Sequence, residues 1–293
     1  MRFLLLTARP ELNVNQRLTT AAARRGIESV VVDATAVVAA AGGEPLLSGS
    51  AGDLLTPPVD AVLARVGNWR PDSILSALEV AIAGGGVTQN PPAAIRAARD
   101  HWRTAWILAA AGIPVPATFA GADPEVLAER GARLGFPVVI KQRRSRMGVG
   151  VIRAEALDHL HSVLDSLWRV GDEVVVQRYI PTGGTSLRLL VVGDDVVAAA
   201  RFTAPAGEWR SNAARGATAR VCTPDPQQTE LAVAAARALG LGVCGVDLLE
   251  AERNVVCEVN PTPGFLRLED ATGVDVADAI IGDLVKRVER SRS

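Results

Sequence analysis

Short apolar runs closed by polar or glycine positions alternate, along the first part of the chain, with stretches whose apolar residues recur every three or four places. "RFLLLT" (2–7) is a run of the first kind and predicts a strand. "NQRLTTAAARRG" (15–26) has helical spacing with Gly26 as its stop, and "ESVVVDA" (28–34) predicts the next strand. "VDAVLARVG" (59–67) is a further strand, "PDSILSALEVAIAGGG" (71–86) a helix ending in glycines, and "VTQN" (87–90) a strand end. Alternating β and α units with short connections predict a small doubly wound α/β layer over residues 1–88. The first strand is not followed by G-x-G-x-x-G, so a dinucleotide site there is disfavoured, and with it an oxidoreductase.

The pattern changes after residue 90. "NPPAAIRAARDHWRTAWILAAAG" (90–112) opens on prolines suited to a first helical turn and reads as one helix, broken by "IPVP" (113–116). "PEVLAERGARLG" (124–135) predicts a helix and "FPVVIKQ" (136–142) a strand ending in lysine. A basic, glycine-containing stretch, "RRSRMGVGV" (143–151), turns back into a strand, and "LDHLHSVLDSLWRVG" (157–171) is helical. "DEVVVQRYI" (172–180) is a strand that stops at "PTGG", and "SLRLLVVGDDVVAAARFT" (186–203) a hairpin turning at Gly193–Asp195. After a polar loop, "GEWRSNAARGA" (207–217), come a helix to Gly240, the strands "VCGVDLLE" (243–250) and "NVVCEVN" (254–260), and a last helix over about 275–290.

Composition narrows the function classes. Of 293 residues, 48% are hydrophobic and 22% charged, enough for more than one domain. The net charge of −1 argues against a nucleic-acid partner or an anionic membrane surface. Cys222, Cys244 and Cys257 are odd in number and lack metal spacing, which fits reduced thiols in a cytoplasmic protein. The opening "MRFLLLTARP" is too short for a signal peptide, and no stretch reaches the roughly 18 apolar residues of a membrane span. Lys141 and Lys286 are the only lysines among 31 basic residues, so where lysine is kept its own chemistry is the candidate reason.

Three groups of residues could carry chemistry. Glu258 and Asn260 share one face of the strand 254–260, and Asp247 joins them if the preceding strand pairs in the right register. Two carboxylates and an amide form an all-oxygen set suited to Mg²⁺ with phosphate oxygens; the plainer reading is a polar strand end capped by the Pro261–Pro263 turn. Lys141 closes the apolar run "PVVI", poorly placed for a solvent face and well placed to reach a phosphate. Gly148 and Gly150 follow it, letting backbone approach an anion or merely shaping a turn. Arg210 and Asn212 sit in a loop, where packing does not explain them.

From about residue 89 to 285 the order of motifs resembles the ATP-grasp fold, and specifically the RimK-type amino acid and peptide ligases. The resemblance rests on "GIPVPAT", "PVVIK", "GVGV", "VVVQRYI", "LRLLVVGDDVVAAA", "EWRSNAARG", "GVDLLE" and "CEVNPTPGF". It implies an N-terminal α/β domain (1–88), a central α+β subdomain (89–180) and a C-terminal α+β subdomain (181–293). It implies a ligase that uses ATP to make an acyl-phosphate from a carboxylate, which an amine then attacks, releasing ADP and phosphate. By matched position Lys141 would contact the ATP phosphates and the Gly148–Gly150 loop would close over them. Gln177, Arg178, Tyr179 and Ile180 would form the adenine hinge. Arg210 would steady the transferring phosphoryl group, with Asn212 beside it and Arg188 in support. Asp247, Glu258 and Asn260 would hold two Mg²⁺ ions, Mn²⁺ being an alternative.

Four departures qualify the resemblance. His101 stands where relatives carry a second phosphate-binding lysine, leaving Arg103 as the nearest replacement. Arg178 replaces a hinge glutamate, and Ser186 an acidic residue placed to meet ribose. The loop Arg143–Arg146 is basic, which suggests either compensation for the lost lysine or recognition of an anionic substrate; a solvated turn is the plain alternative. The expected partners are carboxylate and amine substrates, small or peptidic, and a homo-oligomer is left open. An ATP-grasp kinase and a nucleotide-binding module without turnover are the rival readings.

Overall fold

The structure, a computed structural model, describes residues 1–50, 52–145, 149–212 and 215–293. β1 (Arg2–Thr7), α1 (Asn13–Arg24) and β2 (Glu28–Asp33) follow the opening pattern closely. A short antiparallel meander, β3 (Val38–Ala40), β4 (Leu46–Gly49) and β5 (Gly52–Asp53), comes next; its mixed and very short runs carry no strand signature in the sequence. β6 (Ala61–Arg65) then pairs in parallel with β1, giving the sheet order β2-β1-β6. Alternation along these strands divides them between two cores. Phe3, Leu5 and Leu63 pack against α1, whereas Leu4, Leu6 and Val62 pack against α2 (Pro71–Ala83).

The helix expected to run unbroken to Gly112 is two, α3 (Pro92–Ala98) and α4 (His101–Ala110). Asp100 makes the break: its backbone is extended and its carboxylate accepts the N–H groups of Trp102 and Arg103, capping α4. β7 (Thr118–Ala120), α5 (Pro124–Ala132), β8 (Val138–Gln142), β9 (Val151–Ala154), α6 (Leu157–Arg169) and β10 (Val174–Arg178) form the next layer. Its sheet is antiparallel with order β7-β10-β8-β9. Ile140 and Val176 from the sheet meet Leu127 of α5 and Leu160 and Leu164 of α6 in a core of their own.

β11 (Thr185–Val192), β12 (Asp195–Thr203), β13 (Thr218–Val221), α7 (Pro226–Ala238), β14 (Val243–Glu250) and β15 (Asn254–Asn260) build a five-stranded antiparallel sheet, order β13-β12-β11-β14-β15. One face, with Leu187, Leu189 and Val246, packs on α7 and reaches Leu108 of α4. The other, with Leu190, Ala200 and Phe202, packs on α8 (Leu266–Thr272) and α9 (Val276–Arg292) and merges with the core under α1. Ion pairs join the same elements: Arg17 to Glu269 and Asp275, Arg24 to Asp275, and Arg25 to Asp278. No helix among the described residues is long and apolar enough to cross a membrane.

Candidate active site

A cleft of about 820 Å³, open to solvent, is walled by residues of the four-stranded and five-stranded antiparallel sheets. Strand alternation supplies its first wall. Val138 and Ile140 of β8 point into the core under α5 and α6, so Val139 and Lys141 point the other way, into the cleft. Lys141 is buried (7% exposed), with its Nζ 3.6 Å from the Cys257 Sγ. Gln177, paired with Val139 across β10 and β8, lines the same wall and donates to the Thr118 Oγ1 at 2.9 Å.

The strand β10 ends at the segment expected to act as a hinge. Gln177, Arg178, Tyr179 and Ile180 all border the cleft, and the Arg178 N–H is already used by the Ala117 carbonyl at 2.8 Å. Tyr179 meets Trp209 edge-to-face at 5.8 Å, and the Arg153 guanidinium lies 5.4 and 5.7 Å from the two rings. These aromatic and cation contacts tie the hinge to the loop 207–212.

The opposite wall comes from β14 and β15. The register sets Asp247 opposite Glu258 and Gly245 opposite Asn260. Cys257 is an extra residue in that pairing, a bulge, and both Cys257 and Glu258 consequently border the cleft where strict alternation would admit one. Asp247 is buried and held by Arg188, its neighbour on β11, through paired contacts of 2.6 and 2.5 Å. Burial pushes the Asp247 carboxyl up, against Arg188 beside it, while Asp247 raises the guanidinium; the two-pronged geometry is that of a carboxylate with a charged arginine. Glu258 has no hydrogen bond or ion pair with any described residue. Burial raises the Cys257 thiol, so it stands as a neutral thiol beside Lys141.

Arg210 lies on the cleft in the loop 207–212. Its Nε and Nη2 each donate to the Glu208 carboxylate at 2.9 Å, and its Nη1 to the Val151 carbonyl on β9 at 3.0 Å. The Arg210 side chain and two backbone N–H groups hold the Glu208 carboxyl down at about 2. Ser211 and Asn212 border the cleft, with the Ser211 hydroxyl 2.6 Å from that of Ser186. Trp209, Ser211 and Cys257 went unremarked as site residues in the sequence; "EWRSN" and "CEVN" hold them in its quoted motifs, but loop closure and a bulge decide their position.

Some expected residues stand elsewhere. His101 borders the cleft, whereas Arg103, about 200° further round α4, is exposed and does not. Arg188 is one step back, behind Asp247. Asn260 is also outside the lining, its Oδ1 accepting the Thr262 N–H at 2.9 Å, which is the turn-capping role of the plainer reading. Gly150 has φ of +67°, and an added Cβ would strike the Gln142 side chain, so glycine is needed there for the turn itself. Gly148 and Arg146 lie outside the described residues. Arg143 is not available to an anionic substrate: it pairs with Asp100 at 2.6 Å and Glu173 at 3.3 Å.

Among the described residues no three His, Cys, Asp or Glu side chains cluster as a metal site. The candidate set is instead two carboxylates and an amide, hard oxygens suited to Mg²⁺. Glu258 brings an unused carboxylate, and the oxygens of Asp247 and Asn260 each keep acceptor capacity beyond the bond they make. The set fits the ion.

A family model for the RimK-like ATP-grasp domain matches residues 98–284. The chain belongs to the RimK-like ATP-grasp family. A probable alpha-L-glutamate ligase of Xanthomonas oryzae is 37% identical over 303 residues, covering 99% of each chain. The ribosomal protein bS6–L-glutamate ligase of Escherichia coli is 37% identical over 237 residues, covering 80% of this chain and 78% of that one. A RimK domain ATP-grasp protein of Sphaerobacter thermophilus superposes with a TM-score of 0.75 at 27% identity, covering 97% of this chain and 99% of that one. The family is one of carboxylate–amine ligases that use ATP and Mg²⁺.

Proposed function

We propose that the protein joins the amine of an amino acid, with glutamate as the leading candidate, to a carboxylate of a peptide or small metabolite, through an acyl-phosphate and with release of ADP and phosphate. The glutamate assignment follows the relatives named as glutamate ligases. In this reading the hinge Gln177–Ile180 seats adenine against backbone, with Tyr179 and Trp209 closing the apolar side. Lys141, buried under the phosphate end, supplies a fixed positive charge there. Asp247, Glu258 and Asn260 would hold Mg²⁺, two ions being the expected number, and the metal would neutralise charge on the phosphate oxygens. Arg188 orients Asp247 from behind, bonding both of its carboxylate oxygens.

Arg210 is the residue for the transferring phosphoryl group and the acyl-phosphate. Glu208 neutralises it in the present arrangement and the Val151 carbonyl fixes its direction, so it is held ready in a narrow range of positions. Catalysis is then positioning and charge stabilisation, with no side-chain nucleophile. Cys257, a half-buried thiol whose ionisation burial disfavours, fits that absence.

The observation that carries this reading is Glu258, an unpartnered carboxylate bordering the same cleft as the buried Lys141 and paired in register with Asp247. The test is ADP and phosphate release from ATP with Mg²⁺, L-glutamate and a panel of peptide and metabolite carboxylates. Release that requires both an amine and a carboxylate and disappears in Glu258→Ala supports the ligase. Release with a single substrate would replace it with a kinase, and tight nucleotide binding without release would replace it with a binding module.

A further inference from the structure

Arginines withdrawn from solvent in this protein are almost all neutralised. Arg2, Arg17, Arg143, Arg153, Arg188, Arg210, Arg215 and Arg287 are each half-buried, and each has a carboxylate oxygen within 4.0 Å. Among the described residues two of the same class, Arg65 and Arg99, have none. Both stand at one place, the C-terminal tip of β6. Arg65 is its last residue, and Arg99 donates to the carbonyl of the next, Val66, at 3.2 Å.

That tip is where a parallel sheet of this order binds ligands. β1 lies between β2 and β6, so the chain leaves it in opposite directions and a crevice opens at the C-terminal ends of β1 and β6. Thr7 and Arg65 are paired there. Three buried polar atoms without a partner belong to the same end of the fold: Arg65 Nε, Thr262 Oγ1 and Asn15 Oδ1, the last on a side chain that reaches Thr7. Arg65 Nη2 donates to the Pro263 carbonyl at 2.9 Å, and its guanidinium lies 5.9 Å from the Phe265 ring. The loop it leans on follows directly on Asn260, the last residue of β15. Burial alone, with no anion to offset it, pulls the Arg65 guanidinium down to about 10. A half-buried cation whose Nε is buried and unused is costly unless something else completes it.

We propose that the tip of β6 is a carboxylate-binding subsite, in which Arg65, flanked by Arg99, anchors the α-carboxylate of the amine-donating amino acid. The assignment rests on the ligase reading above and deepens it. A carboxylate anchored beside the 261–265 loop directs the amine of the same amino acid past Asn260 toward the acyl-phosphate, and Thr262 Oγ1 and the free Arg65 Nε supply the hydrogen bonds. The basic loop that the sequence singles out for anion recognition contributes Arg144, whose charge bears on Arg99 against that of Asp72 on α2.

The test is calorimetric, with the protein saturated in AMPPNP and Mg²⁺ and titrated with L-glutamate or with its α-amide, isoglutamine. Glutamate is expected to bind about 10- to 100-fold more tightly than isoglutamine. Arg65→Met should reduce glutamate to the isoglutamine level with AMPPNP affinity unchanged, and Arg65→Lys should restore part of the difference. Should Arg65→Met fail to melt cooperatively, Arg99→Met, on the more exposed flank, carries the comparison. Glutamate affinity unchanged in both methionine variants overturns the proposal, as does wild-type protein that binds isoglutamine equally well or binds AMPPNP but no glutamate. If AMPPNP does not bind, the ligase reading falls separately. The nucleotide-free titration then decides the subsite, with a glutamate preference lost in Arg65→Met supporting it and any other result overturning it.

Discussion

Glu258 and Asp247 face each other across β15 and β14, yet their removal should be felt in different measurements. Glu258 makes no bond with a described residue and sits near a second carboxylate. Glu258→Gln is therefore expected to leave the melting temperature unchanged or slightly raised while lowering ADP release about 100-fold or more, the usual loss when one charge-stabilising group is removed. A fall in both would mean that Glu258 supports the fold. Asp247→Asn should do the reverse first: it strands the Arg188 guanidinium, and losing one partner of a buried pair costs about 3–5 kcal/mol, read as a lower urea midpoint. A midpoint within error of wild type would show that Arg188 finds another anion. At this scale the sequence is legible where chemistry follows from alternation along one strand. Lys141 after "PVVI", and Glu258 with Asn260 two apart, could be placed that way. The Arg188–Asp247 pair could not, because strand register joins them across 59 positions. Nor could the Arg143–Asp100 pair, whose members are 43 residues apart.

Elements meet the site through their ends. Asp100 caps α4, binds Arg143 from the loop after β8, and so connects the helix that carries His101 to the strand that carries Lys141. Asp100→Ala is expected to cost about 2 kcal/mol, roughly half from the lost cap and the rest from the unpaired Arg143, measured by urea unfolding. A double-mutant cycle with Arg143→Ala should recover the second part. The loop 207–212 gives a pH prediction. Glu208 has a carboxyl held near 2 in the folded protein against an ordinary 4.5, so it favours folding fully above about pH 4.5, and the benefit fades as pH falls toward 2. Glu208→Gln should therefore lie below wild type in urea midpoint at pH 7, and the gap should narrow by pH 3. A gap that widens in acid would contradict the assignment of the low value to Arg210. Element type was readable along most of the chain because strand and helix periods differ. The break at Asp100 was hidden inside an apolar pattern with helical spacing on both sides, and β7 and β13 were missed because three- and four-residue edge strands leave too little pattern to count.

The whole molecule is held by cores of unequal reach. The largest joins β1 and α1 of the first layer to α8, α9 and one face of the five-stranded sheet, through residues as far apart as Phe3 and Ile281. The core under α5 and α6 draws only on residues 127–176. Composition foretold several layers but not this sharing, because the docking of α9 on α1 is a long-range contact with no local signature. We propose the division of the chain at residues 88 and 180 as one of function, with the central part the more independent in folding. Native-state hydrogen exchange tests it. Amides of β8 and β10 should open at a lower free energy than those of β1, β11 and β14, because fewer buried contacts must be lost. If the cleft holds nucleotide between the two antiparallel sheets, AMPPNP with Mg²⁺ at 100 times its dissociation constant should raise that lower value by up to about 2.7 kcal/mol, leaving the locally fraying ends of α9 unchanged. Equal protection in all sheets without ligand would mean that the smaller core unfolds only with the rest. Protection gained in β1 but not in β8 would place the nucleotide outside the cleft that Lys141 and Glu258 share.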